Sequence, residues 1–214
     1  MGGRGLRLAH GWELTASEET SKPLIRDFIR PAVRAFPSSM ARQIGFSRIS
    51  LVDDLGSPNV ASKWTAGGGE LRISISIGGR DGHDIAMELL LCLGQALWQK
   101  LSSGQLKAYW LLLDSEFLAG IGGEIDEDAL REKRALLGGR ISAASSRRLE
   151  RYGCASFAGS AAEYVHSLWH DVEVVGGPEH LPAKELRRRL ELLEAWFPPD
   201  RGHKLYPKSQ DAAY

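Results

Sequence analysis

Between Asp84 and Lys100 the chain reads DIAMELLLCLGQALWQK, with no proline and a single glycine, Gly94. At helical spacing Met87, Leu90, Leu91, Gly94 and Trp98 share one face, and Leu89, Leu93, Ala96 and Leu97 cover most of the remainder. A helix that is apolar nearly all round belongs in an interior, so the rest of the chain must supply layers to enclose it. A single narrow polar stripe survives on it: Glu88, Cys92, Gln95 and Gln99, at steps of four, three and four. With 214 residues and 43% hydrophobic content the chain can build such an enclosure as one large core.

The flanking sequence supplies the layers. Residues 17 to 36 carry Leu24, Ile25, Phe28, Ile29, Val33 and Phe36 at steps of three and four, an amphipathic helix bent at Pro31 and ended by Pro37. RISLVDDL (48 to 55) reads as a short strand entering a turn at 56 to 59. ASKWTAGGGELRISISIGG reads as two strands around Gly67, Gly68 and Gly69. In the second, Leu71, Ile73, Ile75 and Ile77 alternate with Arg72, Ser74 and Ser76, leaving one wet face. Beyond the interior helix the periodicity predicts helices over 104 to 119, from an Asp126 cap to Gly138 and Gly139, over a short basic 141 to 151, over 155 to 171, and through LPAKELRRRLELLEAWFPP to Pro198. No internal repeat is visible. The expected fold is a single α+β domain over residues 1 to 199, a small mixed sheet against a buried helix with further helices around it. Residues 200 to 214 are expected to form a mobile tail.

Charge excludes some partners. Lys plus Arg equals Asp plus Glu at 27 each, so nothing in the overall field favours nucleic acid or an anionic membrane. Cys92 and Cys154 stand in apolar or small-residue helical contexts, which suits reduced thiols. The first residues, MGGRGLRLAHGW, lack a signal-peptide apolar run, Leu6 breaks the myristoylation pattern, and no segment offers about 18 uninterrupted apolar residues. The expected location is cytoplasmic.

The element order and the run Leu91-Cys92-Leu93-Gly94-Gln95-Ala96-Leu97-Trp98 carry a resemblance. The region from about Arg48 to Leu168 resembles the zincin-like metallopeptidases of the gluzincin group, in which a small sheet leads into a helix bearing H-E-x-x-H, often as HELGHALW. The residues that differ are the diagnostic ones. Paired imidazoles one turn apart hold zinc, and the carboxylate between them deprotonates the metal-bound water. On the resemblance, Leu91 and Gln95 stand at the two histidine positions and Cys92 at the general base. The family's later glutamate ligand, in runs such as DFAESFAEYV, aligns with Gly159 of SFAGSAAEYV (156 to 165). The motif is degenerate at all four positions, and sliding does not recover it, because no second histidine lies three or four residues from His83. The resemblance therefore implies a pseudo-enzyme without zinc.

Other constellations compete. Glu163, His166 and His170 fall at i, i+3 and i+7 on one helical face beside Asp171, which reads either as a relocated metal site or as a polar helix end. Cys92 with His166 or His170 as base is a thiol-enzyme reading, against the commoner role of a buried cysteine as a small hydrophobe. The glycines of TAGGGE and IGGRDG match no phosphate-cradle motif and read as turns. Arg187, Arg188 and Arg189, diluted by Glu185, Glu191 and Glu194, read as a solvated face, and the six tryptophans as core and its edge.

The function expected from these residues is non-catalytic: a zincin-like protein that binds a peptide, a small molecule or a protein partner in a remnant cleft. Glu88, Cys92, Gln95, Gln99, Glu163, His166 and His170 are its binding candidates. RISLVDDL or ASKWTA would serve as a docking edge. No metal, cofactor, nucleic acid or membrane is expected. The alternative is a metal-dependent hydrolase using Glu163, His166 and His170. A third reading makes the amphipathic helix 182 to 197 an assembly surface.

Overall fold

The computed structural model describes residues 5–17, 20–57, 60–138, 145–170 and 177–205. The fold is mixed α+β. Its sheet has five strands in the order β1-β2-β3-β5-β4, with β1 Leu6–Arg7, β2 Glu13–Ala16, β3 Phe46–Val52, β4 Ser62–Gly67 and β5 Glu70–Ser76. β2, β3 and β5 run parallel, while β1 and β4 are antiparallel edges. The period of two in LRISIS has its expected effect: Leu71, Ile73 and Ile75 are buried, and Ile49 and Leu51 pair with Ile73 and Ile75 on the same face. The other face carries Arg48, Arg72, Glu70 and Glu13 in exposed ion pairs. Gly68 and Gly69 both have positive φ, 60° and 78°, the requirement of a two-residue hairpin between β4 and β5.

Among the described residues there are seven α-helices. A π-helical stretch, Leu24–Ile29, runs straight into α1 (Arg30–Ala35), followed by α2 (Ser38–Ile44). Pro31 lies in the first turn of α1, and the wider winding ahead of it accommodates the ring that would clash in a regular helix interior. α3 (Gly82–Trp98) is the interior helix, started by Asp81, whose carboxylate accepts from the Asp84 amide at 2.8 Å. α4 (Ser103–Leu118) begins with a Ser102/Gln105 capping box, and α5 (Glu127–Leu137) with the expected Asp126 cap. α6 spans Ser145–His166 and α7 Ala183–Trp196.

Three expectations change. The 155 to 171 segment as far as His166 and the part of the 141 to 151 segment from Ser145 onward are one helix, α6; residues 141 to 144 and 171 lie outside the described residues. Gly153 lies inside it, and a Cβ there would strike the Trp110 ring, so the glycine serves packing. The expected tail is packed over 200 to 205: Asp200 accepts from the Ser38 amide and hydroxyl at 3.1 and 2.6 Å, and Leu205 is buried. Residues 206 to 214 lie outside the described residues. β3, which contains most of RISLVDDL, is interior to the sheet and cannot accept another strand, whereas β4, within ASKWTA, is an edge.

α3 and α6 are antiparallel neighbours. His83 near the start of α3 meets His166 at the end of α6, and Trp98 at the end of α3 donates to Glu150 at 2.9 Å. Between them Gly94 lies so close that a Cβ would come 2.8 Å from the Ala158 Cα. One core cluster runs from Leu8 to Leu205 through both helices and the sheet. Among the described residues no helix is long and apolar enough to cross a membrane.

Candidate functional site

The close α3/α6 contact decides where a cleft can exist. At Gly94 and Ala158 the backbones touch, and room opens to one side, where α5 and its cap lie beside the pair. There a cavity of about 220 Å³ is lined by Leu91 and Gln95 of α3, Ala155 and Ala158 of α6, and Asp126 with Glu132 of α5. Arg131 and Arg151 stand at its rim, each paired with a carboxylate: Arg131 with Asp128 at 2.7 Å, Arg151 with Glu132 at 3.2 Å. Leu91 and Gln95 thus share a cavity, as their one-turn spacing requires.

Gly159 adjoins it. A Cβ at this position would collide with Asp126 Oδ2, so the carboxylate of the α5 cap fills the space that a side chain at 159 would take. Asp126 Oδ1 accepts from the Ala129 amide at 3.0 Å, while Oδ2 is buried with no hydrogen-bond partner. Burial pushes this carboxyl up to about 6, with the charges of Asp128 and Glu124 adding to the rise against the backbone amides of Ala129 and Asp128.

The polar stripe of α3 turns instead toward the edge strand β4. Cys92 Sγ donates to Ser62 Oγ at 3.2 Å, and Ser62 donates on to Glu88 Oε2 at 3.0 Å. Trp64 Nε1 donates to Gln95 Oε1 at 2.7 Å. An indole N–H can only donate, so this bond orients the amide and leaves the Gln95 NH2 for the cavity side. Gln99 is exposed beside Trp64 and the hairpin. Of the stripe, Gln95 alone reaches the cavity. Burial pushes the Cys92 thiol up to about 11, its hydrogen bond to Ser62 opposing and the Glu88 charge adding, so the sulfur is a protonated core group at neutral pH. Neither histidine proposed as its base is near it, since both lie at the far end of α3.

Zinc does not fit this cavity. Leu91 has no lone pair, Gln95 Oε1 is committed to Trp64, and Cys92 faces β4.

Glu163, His166 and His170 do gather on one face, joined by a residue from another element. His83 Nε2 is 3.0 Å from His166 Nε2, and the His170 ring centroid is 5.6 Å from that of His166 and 6.2 Å from that of His83. Glu163 Oε2 is 3.5 Å from His166 Nδ1. His170 continues the helical winding beyond α6, its amide donating to the His166 carbonyl at 3.0 Å; Asp171 lies outside the described residues. This cluster is two turns of α3 away from Leu91, so the seven binding candidates do not form one cleft.

A buried ionic network escaped the sequence reading. Arg189 is fully buried, its guanidinium bidentate on Glu116 at 3.0 and 2.5 Å and donating to Glu124 at 2.8 Å and to Ser156 at 2.9 Å. Lys133 donates to Glu124 at 3.0 Å and Tyr152 to the same carboxylate at 2.6 Å. Two cations face two anions. Burial works against the Glu124 charge, yet Arg189 and then Lys133 and Tyr152 hold its carboxyl below the usual range. Arg187 and Arg188 are exposed as expected, whereas Arg189 is not part of a solvated face. The signal for it was faint: one of three adjacent arginines falls in line with Leu186, Leu190 and Leu193 on the buried face of α7. With its charges mutually satisfied, this network fastens α4, α5, α6 and α7 together and presents no open group to a ligand. No family model, no curated protein and no solved structure matches the chain.

Proposed function

We propose that this chain is a non-catalytic, zincin-like protein whose remnant cavity binds a small amide-bearing ligand such as the end of a peptide. The observation that carries the reading is the shared cavity of Leu91 and Gln95, with Gly159 adjoining through Asp126. Three of the four positions that the zincin resemblance assigns to metal chemistry lie around one cavity, and none offers zinc a competent ligand. What its lining holds instead is two buried acceptors without a hydrogen-bond partner, Asp126 Oδ2 and Glu132 Oε2, and one donor, the Gln95 NH2. An amide carries the complementary pair, an N–H and a carbonyl. At about 220 Å³ the space is below the roughly 300 to 1,000 Å³ of sites for drug-sized molecules, which favours a chain end over an embedded peptide.

The test is a titration of the protein with a panel of short peptide amides, followed by amide NMR shifts in α3, α5 and α6. Saturable shifts at Gln95 and Asp126 that Gln95→Ala abolishes are expected, together with no peptide hydrolysis when equimolar zinc is present. Zinc-dependent hydrolysis lost on Gln95→Ala would overturn the reading. So would an absence of shifts around the cavity.

A further inference from the structure

A cluster of histidines lies apart from the cavity. We propose that His83, His166 and His170 form a three-imidazole site for a first-row divalent metal of the zinc class, with Glu163 orienting His166 from behind.

The geometry begins with His83 and His166. Two imidazole nitrogens on one tetrahedral zinc, each at about 2.05 Å, are separated by about 3.3 Å. The Nε2 atoms of His83 and His166 are 3.0 Å apart, so a metal enters with a few tenths of an ångström of adjustment. The two rings come from different helices and meet because α3 and α6 are antiparallel. His170 stands one turn beyond His166, with its ring 5.6 and 6.2 Å from the other two. Rings sharing a tetrahedral metal have centroids about 5.2 Å apart. The ligand atoms of the three histidines do not all lie within 4.8 Å of one another, so the exposed His170 side chain must rotate toward the other two to supply the third position.

His166 supplies the second, independent observation. It is 8% exposed, and its Nδ1 is buried with no hydrogen-bond partner, the nearest acceptor being Glu163 Oε2 at 3.5 Å. A ring whose Nε2 faces a ligand position and whose Nδ1 faces a carboxylate is the arrangement by which proteins fix a metal-binding tautomer. The end of α6 adds negative potential beside His166 and His170. Asp81 and Asp84 flank His83, the three having ligand atoms within 4.8 Å of one another, and offset the opposite polarity of the start of α3. Asp81 is already engaged as the α3 cap. The site is roughly 12 Å along α3 from Leu91 at 1.5 Å per residue, so it stands or falls apart from the cavity.

The experiment is a titration of the metal-free full chain with Co2+ and then Zn2+. It follows the visible absorption of tetrahedral cobalt, the metal stoichiometry, and quenching of tryptophan fluorescence, since the Trp169 ring is 5.8 Å from His166 and 5.3 Å from His170. One metal per chain is expected. His83→Ala and His170→Ala should each weaken binding at least tenfold while the far-ultraviolet circular dichroism stays unchanged, and Glu163→Gln should weaken it by about 10- to 100-fold. Gln95→Ala should leave the affinity as it is. Binding that survives both His83→Ala and His170→Ala would overturn the proposal, as would a stoichiometry well below one. So would loss on Asp81→Asn with Asp84→Asn while His170→Ala still binds, which would assign the metal to the acidic trio instead.

Discussion

Asp126 holds three roles in one side chain: it caps α5, fills the space beside Gly159 and leaves one oxygen buried without a partner. Its raised folded value, about 6 against an ordinary 3.8, means that its contribution to stability is fully present below the ordinary value and is lost as pH rises through about 6. Asparagine caps a helix as well as aspartate and cannot ionise. Asp126→Asn should therefore stabilise the protein at pH 8 by an amount on the order of 3 kcal/mol and leave it nearly unchanged at pH 4, read from urea unfolding at the two pH values. Gly159→Ala should cost about 1 to 3 kcal/mol, because its Cβ meets that carboxylate. The cost should shrink when Asp126 is replaced by Ser, which also caps; if the two effects simply add, the Asp126 contact is not what keeps position 159 a glycine. Arg189→Met is the harsher change. It leaves Glu116 and Glu124 buried against Lys133 alone, and unfolding free energy should fall by about 3 to 5 kcal/mol. A loss below about 1 kcal/mol would place the network in the class of exposed ion pairs.

At the scale of elements, α3 and α6 illustrate what periodicity carries and what it omits. The apolar run of α3 predicted an interior helix, and Leu89, Leu93 and Leu97 are fully buried in it. The same run could not say which face would touch which neighbour. Gly94 decides that by letting the backbones meet, and Gly94→Ala puts a methyl 2.8 Å from the Ala158 Cα. The substitution should destabilise by about 1 to 3 kcal/mol even though alanine gains about 1 kcal/mol in helix propensity over glycine. A rise in melting temperature would mean that the helices separate at no cost. Around α6, the sequence suggested two helices, over 141 to 151 and 155 to 171, where one continuous helix carries Gly153 in its interior. The glycine is instead a seat for Trp110, a reason that lies in another helix and leaves no local trace. β1 and β2 were missed for a similar reason: they are short, and pairing, of β2 with β3 and of β1 with β2, rather than propensity makes them strands.

For the whole molecule, the opposing ionisations of Asp126 and Glu124 bound the range of stability. Glu124 is held below the usual carboxylate range, so its contribution is present at neutral pH and is lost as pH falls through that depressed value, while the Asp126 contribution fades above about 6. Maximal stability is expected in mildly acid solution, and thermal melts across pH 3 to 8 would show it; a monotonic rise to pH 8 would mean that Asp126 does not ionise against burial. The sequence by itself determined the α+β class, the wet-faced β5, the Asp126 cap and the interior nature of α3, because each follows from local spacing and backbone chemistry. It also placed Leu91 and Gln95 on one face and Glu163, His166 and His170 on another. Tertiary structure alone brought His83 to His166, put Asp126 beside Gly159, turned Cys92 to Ser62 and sank Arg189 among Glu116 and Glu124. Those pairings join residues far apart in the chain, and their energies come from burial and from partners on other elements, which no local pattern encodes.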